Sequence, residues 1–170
     1  MNYKTKLTLL GLPLVHITTG KIENGRYEKG IAKGWIAIGD ISFGVILSAG
    51  AVAFGGVAVG GLAVGLLSLA GLAIGFLAFG GGAIGILAAG GGAVAWHAAS
   101  GGFAMAKEYA LGGQAIANHA NDMVAKNYFG NSVFFSLARL IVEHSRWFLL
   151  LVFLPIIQNL IHRRKHRGSR

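Results

Sequence analysis

Five polar side chains between residues 97 and 122 are of types that can do chemistry: His97, Tyr109, Gln114, His119 and Asp122. Two imidazoles and a carboxylate, those of His97, His119 and Asp122, could bind a metal ion or relay a proton. Their spacing matches no familiar set of metal ligands, and no phosphate-binding loop, nucleophile elbow or catalytic carboxylate pair is present. We therefore predict no enzyme activity, no metal and no cofactor, and we interpret the five residues as a polar rim.

These residues follow a long stretch without charge. The 66 residues between Asp40 and Lys107 contain no Asp, Glu, Lys or Arg, so the net charge of +9 lies toward the ends of the chain. It is densest in RRKHRGSR, residues 163–170. Nucleic-acid-binding proteins usually interleave basic with polar or aromatic residues on a folded face, whereas this run is a tail after an apolar segment. We expect no nucleic-acid partner. The absence of cysteine excludes disulfides and thiolate metal sites.

The charge-free stretch is built from a five-residue repeat. A small residue recurs every five positions from Gly34 to Ser100, with one step of six between Gly44 and Gly50. Typical units are GLAVG, LLSLA, GLAIG and FLAFG. Five residues advance an α-helix by about 500°, so a helix would scatter these glycines over every face. Membrane helices with G-x-x-x-G spacing are the alternative, although they would need polar turns that this stretch lacks.

The repeat predicts a mainly β fold, a hydrophobic β-solenoid of five-residue repeats with C-terminal α-helices. We assign residues 1–33 to an N-terminal cap, 34–122 to the solenoid and 123–170 to a helical membrane-associated segment. Because residues two apart on a strand face the same way, Leu62, Leu67, Leu72 and Leu77 are predicted to point inward with the small residues. Ten or twenty residues per coil both fit the pattern. The positions predicted to point outward are Phe54, Val59, Val64, Leu66, Leu69, Ile74, Phe76, Phe79, Ile84, Ile86 and Trp96.

Several segments carry a resemblance to known proteins. They are GLPLVHI (11–17), AKGWIAIGDISFG (32–44), AVAWHAASGG (93–102) and YALGGQAIANHAND (109–122), with a Phe-rich segment after them. Over residues 11–135 the chain resembles a bacterial family of hydrophobic Gly/Ala/aliphatic repeat proteins. Its architecture resembles that of pentapeptide-repeat β-helices without their polar Asp/Asn position. The resemblance implies the solenoid fold and a membrane setting, and it implies no activity.

The predicted exterior determines the expected surroundings. Leaving a large apolar side chain in water forfeits about 1.5–3 kcal/mol, so eleven of them would not stay bare. They face lipid, another copy of the chain, or the chain's own C-terminal helices. Residues 133–161 hold two apolar pieces, read either as an amphipathic helix and a helix kinked at Pro155, or as one tilted membrane anchor. Arg139, Glu143 and Arg146 would form one polar stripe on such a helix.

Three functions follow from this pattern. The preferred one is a non-catalytic, membrane-associated scaffold that is structural or self-assembling, with membrane lipids and further copies as partners. The alternative is a protein that binds or conducts lipids or small hydrophobic molecules, using space where Gly82 and Gly92 replace inward leucines. An enzyme using the polar rim is the third. We expect membrane localisation with a cytoplasmic basic C-terminus, in which anionic lipid is contacted by Arg163, Arg164, Lys165 and Arg167.

Overall fold

The computed structural model describes residues 2–5, 7–23, 26–141 and 143. The chain divides into two compact units, Met1–Asn131 and Ser132–Arg170. The described part of the first unit is mainly β and ends in one helix. Residues 144–170 lie outside the described residues. They include Arg146, the apolar run 147–161 and the basic tail.

Six short strands precede the repeat. β1 pairs antiparallel with β4, which in turn pairs in parallel with the repeat, while β2–β3 and β5–β6 form separate antiparallel pairs. The β2–β3 hairpin turns through Leu10 and Gly11, both with positive φ (53° and 78°), as a two-residue hairpin loop commonly requires. The strands are β1 (Asn2–Lys4), β2 (Thr8–Leu9), β3 (Leu12–Pro13), β4 (Val15–Thr18), β5 (Lys21–Glu23) and β6 (Arg26–Glu28).

The repeat forms extended chain throughout. β7 (Ile31–Ala106) keeps strand pairing over 76 residues without an interruption, and β8 (Tyr109–Ile116) and β9 (His119–Ala120) follow it in parallel. The main sheet has the strand order β1-β4-β7-β8-β9. The mainly β prediction is confirmed, and the alternative of membrane helices is wrong for the repeat, because residues 51–90 are strand at every position.

Residues ten apart in β7 contact each other. A Cβ added to Gly75 would overlap the carbonyl oxygen of Gly65, and one added to Gly85 would overlap that of Gly75. The spacing becomes eleven where the sequence contains a six-residue step, as between Gly39 and Gly50. The chain therefore comes back alongside itself every ten or eleven residues. We call each such pass a row.

The buried position of each five-residue unit is the alanine or serine, not the leucine. Fully buried side chains recur at Ala53, Ala58, Ala63, Ser68, Ala73, Ala78, Ala83, Ala88, Ala93 and Ala98. The inward placement of Leu62, Leu67, Leu72 and Leu77 is wrong: none is buried, and Leu72 is 43% exposed. The physical reason is space, since the buried position of each five-residue unit accommodates only a methyl or hydroxymethyl group.

None of the eleven positions predicted to point outward is buried. Six are exposed, and five are half-buried: Phe54, Val64, Leu69, Phe79 and Ile86. The most exposed are Leu66, Phe76 and Trp96, at 68%, 57% and 72%. The outer surface of β7 therefore carries larger apolar side chains than its interior, which is mainly alanine. Ser42, Ser48 and Ser68 are fully buried, and each donates its hydroxyl to a backbone carbonyl. Aliphatic and aromatic side chains cover the outer surface of β7.

Two glycines provide a matched test of the close row spacing. Gly75→Val should lower the thermal midpoint sharply, because even the Cβ overlaps the Gly65 carbonyl. Ala70 occupies the equivalent position of another unit, so one methyl can be accommodated there, whereas valine adds two more. Gly92→Val should leave the midpoint nearly unchanged, since nothing lies within 4 Å of an added Cβ. Circular dichroism melts of both variants in detergent check this, and equal midpoints would contradict the close spacing.

Within the described residues, two helices follow the strands. In the first unit, α1 (Met123–Asn131) buries Ala125 and Phe129. In the second unit, α2 covers residues 133–141, with Phe135 and Ala138 buried and Arg139 exposed. Helices therefore occur C-terminal to the strands, as predicted. Neither described helix combines the length and the apolar composition needed to cross a bilayer.

Candidate functional site

Four aromatic rings and one carboxylate meet where the strands end. We call His97, Tyr109, His119, Asp122 and Tyr128 the end cluster. Tyr109 lies at its centre, stacked on Tyr128 at 4.3 Å between ring centroids and on His119 at 5.7 Å. The His97 ring meets both tyrosines edge-on, at 5.4 Å from each. The sequence therefore contributes one ring from each of four successive elements.

Parallel strand register brings these rings together. Tyr109 of β8 pairs with Ala98 of β7 on one side and with His119 of β9 on the other. His97 lies next to Ala98, and its carbonyl accepts the Glu108 N–H at 3.3 Å. Tyr128 reaches the cluster from α1. Burial and the neighbouring Tyr109 raise the pKa of the Tyr128 hydroxyl, so this phenol stays neutral at physiological pH.

Asp122 joins the strands to α1. One carboxylate oxygen accepts the Ala125 N–H at 2.7 Å, the N-cap bond that satisfies a free donor of the first helical turn. The other accepts from His119 Nδ1 at 2.7 Å. These hydrogen bonds, that from Ala125 first, lower the pKa of the Asp122 carboxyl below its ordinary value. Asp122 is therefore a structural cap as well as a partner of His119.

Asn121 closes the last strand pairing of the sheet. Its side-chain amide donates to the Gly112 carbonyl and accepts the Gly112 N–H, both at 2.9 Å. The side chain thus replaces the backbone of a further strand. Asn121 adopts φ of 57°, a left-handed conformation that asparagine tolerates better than most residues. We did not predict this role, although an Asn-Asp pair before a helical segment is a recognisable signal for a turn and an N-cap.

Gln114 does not join the end cluster. It pairs with Phe103 in the β7–β8 register and its side chain is exposed. The other four predicted rim residues do come together, and Tyr128 joins them without having been predicted. Among the described residues, no three His, Asp or Glu side chains are placed to hold a metal ion, so the alternative metal site of His97, His119 and Asp122 is not assembled.

Polar groups also satisfy the backbone at the opposite end of β7. Asp40 Oδ2 accepts the N–H groups of Gly20 and Gly30, at 3.1 and 2.9 Å. His16 Nδ1 accepts the Lys33 N–H at 2.9 Å. The described strand region therefore has polar groups at both ends and an uncharged middle.

Comparison with family models, curated proteins and solved structures finds no match to this chain. The chemistry of its surfaces must therefore be read from the chain itself. In the end cluster, His119 and Asp122 share a hydrogen bond, and Asp122 is already used as a helix cap. This arrangement supports ring stacking and helix capping.

An open apolar groove lies on the outer surface of β7. It has a volume of about 510 Å³ and is lined by Ile46, Gly56, Val57, Leu66, Leu67, Phe76 and Leu77. No lining side chain can donate or accept a hydrogen bond. Side chains ten apart recur along it, and we call Ile46, Leu66, Phe76, Ile86 and Trp96 the outer column.

Lysines stack on aromatic rings at both ends of the apolar surface. The Lys107 Nζ lies 5.5 Å from the Trp96 ring, which ends the outer column. At the other end, Lys33 Nζ lies 5.9 Å from the Phe43 ring, and Phe43 stacks on Phe54 at 5.1 Å. A lysine therefore lies at each end of the exposed apolar surface, in cation–π contact with an aromatic ring.

The Asp122 cap should make α1 sensitive to acid. Because the folded-state pKa is depressed, the charged carboxylate stabilises the fold fully above about pH 4, the ordinary Asp value, and this contribution is lost as the pH falls through the folded pKa. The protection factors of the first-turn amides of α1 against hydrogen exchange should therefore fall below that pH. Asp122→Ala should lower these protection factors at neutral pH, while Asp122→Asn, which keeps a capping oxygen, should lower them less. Equal exchange in all three proteins would contradict the cap.

Proposed function

We propose that the chain is a non-catalytic, membrane-associated β-solenoid that serves as a structural or self-assembling scaffold. The observation that carries this proposal is the uncharged, apolar outer surface of β7. Three of its four serines, Ser42, Ser48 and Ser68, are buried, while Leu66, Phe76 and Trp96 are exposed. Such a surface is unstable in water and stable against hydrocarbon or another apolar surface.

The contacts between rows support the solenoid. A chain that meets itself every ten residues in parallel register, with two small buried residues per row such as Ala73 and Ala78, fits a two-sided coil of ten residues. The coil is narrow because alanine or serine occupies each of its buried positions. The helix cap of Asp122 and the Asn121–Gly112 pairing then close the C-terminal end of the stack.

Membrane lipids and further copies of the chain are the partners in this proposal, with the basic C-terminus on the cytoplasmic side. The resemblance to hydrophobic repeat proteins belongs to the same proposal. The end cluster has a structural role here, since stacked rings and capped backbone groups protect the last row of the stack from fraying.

Flotation of the purified full chain with neutral phosphatidylcholine vesicles tests the membrane setting. We expect the protein to float with the vesicles and to show a β-type circular dichroism spectrum in them. A monodisperse monomer in detergent-free buffer that does not float would overturn the proposal. Cross-linking in detergent, with a ladder of oligomers expected, tests self-assembly separately.

The basic tail should strengthen binding to anionic membranes. Each Lys or Arg near an anionic leaflet contributes about 1 kcal/mol, so neutralising Arg163, Arg164, Lys165 and Arg167 to Gln should weaken binding by up to about 4 kcal/mol at low salt. The β spectrum should stay unchanged. Co-sedimentation with anionic and neutral vesicles across a salt series measures this. Equal binding of the unaltered chain to both vesicle types would contradict a role for the tail in lipid recognition.

The groove favours a second candidate, the binding of a lipid or small hydrophobic molecule. Its wall of Leu66, Leu67, Phe76 and Leu77 offers apolar contact without any directional polar group, so the ligand would be an acyl chain or a similar hydrocarbon. Native mass spectrometry of protein purified in mild detergent should then detect bound lipid. Loss of that lipid in Leu67→Ala, with the β spectrum retained, would favour this function over a scaffold.

A further inference from the structure

The height of the uncharged surface matches the hydrocarbon core of a bilayer. Gly56 contacts Ile46, and the contacts of Gly71 with Gly61, Gly81 with Gly71 and Gly91 with Gly81 keep the ten-residue spacing, which places Leu66, Phe76, Ile86 and Trp96 on successive rows; the next row carries Lys107. Six row spacings of about 4.8 Å therefore separate the row of Ile46 from that of Lys107, or roughly 29 Å. The hydrocarbon core of a typical bilayer is about 30 Å thick.

The outer surface between those rows carries no charge and little polarity. Asp40 and Lys107 are the nearest charged residues on either side. Ser42, Ser48 and Ser68 are fully buried, and His97 is engaged with two tyrosine rings. A surface that merely rested on a membrane would need only one apolar face. Here the row of residues 71–80 exposes three apolar side chains, Leu72, Ile74 and Phe76, and the rows on either side of it expose Leu66 and Ile84.

Both ends of this surface carry groups suited to a membrane interface. Trp96 is 72% exposed and lies beneath Lys107, and Phe43 lies beneath Lys33. Aromatic rings favour the headgroup level, and lysine ammonium groups extend from there to water and phosphate. Of the end cluster, His119, Asp122 and Tyr128 follow Lys107 in the chain, while His97 adjoins Trp96; at the other end, Asp40 accepts from the N–H groups of Gly20 and Gly30, which precede Lys33.

The backbone is also compatible with hydrocarbon. An unpaired N–H or C=O costs several kcal/mol in lipid, so a spanning segment must pair its backbone internally. β7 keeps strand pairing from Ile31 to Ala106 without a loop. Rows stacked in parallel can pair their backbone N–H and C=O groups with the rows on either side.

We propose that the rows of β7 stack along the bilayer normal and cross the hydrocarbon core, with the Lys33–Phe43 pair at one interface and the Trp96–Lys107 pair at the other. Lipid acyl chains are the partner of the outer surface. This inference rests on the proposed membrane setting and adds an orientation to it: each strand lies parallel to the membrane plane and the hydrogen bonds between rows run across it.

The depth of the outer column in neutral phosphatidylcholine vesicles tests this orientation. The chain has no cysteine, so Ile46→Cys, Phe76→Cys and Trp96→Cys can each carry one fluorophore. We expect the label at Phe76 to lose most fluorescence with a quencher deep in the acyl chain. Labels at Ile46 and Trp96 should lose most with a quencher near the headgroups. Gln114→Cys, beyond Lys107, is the control and should respond to aqueous iodide.

A flat arrangement gives a different result. If the stack lay along the surface, the three labels of one column would share one depth, and the proposal would be overturned while membrane association stood. Labels shielded from both lipid quenchers and iodide would indicate a second copy as the partner and would also overturn it. Failure of the unlabelled chain to float would instead overturn the proposed function.

A measurement on the unaltered chain guards against labels that disturb the fold. Polarised infrared spectroscopy of oriented bilayers reports the direction of the backbone carbonyls. We expect the amide I absorption of the strands to be polarised along the bilayer normal, because the carbonyls point from row to row. Polarisation in the membrane plane would overturn the proposal whatever the labelled variants give.

Discussion

Ala78→Leu is expected to destabilise the strand region by about 3 kcal/mol or more, at the upper end of the usual cost of overpacking. Ala78 is fully buried, and the equivalent buried positions of the other units from Ala53 to Ala98 are alanine or serine. Leucine adds three carbon atoms where only a methyl group fits. The rows on either side would have to separate, which would also break backbone pairing. Thermal or denaturant melts in detergent, followed by circular dichroism, measure the loss.

Ala51→Leu is the matched control for this substitution. Ala51 lies in the same strand but is exposed, so the same added atoms enter the surroundings of the protein. Its midpoint should stay close to that of the unaltered chain. Equal thermal midpoints of the two leucine variants would show that the buried position of Ala78 does not limit side-chain size.

Phe76→Lys is expected to lower partition into neutral vesicles by about 100-fold, because a lysine at mid-membrane depth costs about 2.5–3.5 kcal/mol on insertion scales. Phe76 is 57% exposed in the middle of the outer column, far from either lysine-aromatic pair. Substitution of an exposed side chain leaves the buried alanines untouched, so the β spectrum in detergent should be retained. Quantitative flotation with neutral vesicles gives the partition coefficient.

Gln114→Lys provides the comparison, since it adds the same charge at an exposed position beyond Lys107. It should leave the partition coefficient nearly unchanged. A similar loss in both variants would mean that net charge, and not depth in the apolar surface, controls binding. Unchanged partition of Phe76→Lys would contradict contact between the outer column and lipid.

The end cluster shows how much of the candidate site the sequence alone predicts. His97, Tyr109, His119 and Asp122 could be selected because they are polar residues following a long apolar repeat. Tyr128 could not be selected in this way, because it joins the cluster only through the position of α1 over Tyr109. Gln114 was included because it continues the five-residue spacing, but in the structure it pairs with Phe103 away from the four rings.

The sequence by itself determined that the chain is mainly β, that its repeat is five residues long, and that some large apolar side chains, such as Leu66, Phe76 and Trp96, are exposed. The physical reason is that glycine content, repeat period and the absence of charge act on every unit alike. Only the tertiary structure decided that rows meet at ten residues and that alanine, not leucine, is buried. Those features depend on how closely one row approaches the next, as at Gly65 and Gly75, and this distance is set by contacts between residues ten apart. The five-residue period is the same whether the alanine or the leucine of each unit points inward. The close spacing between rows decides that only the alanine fits inside.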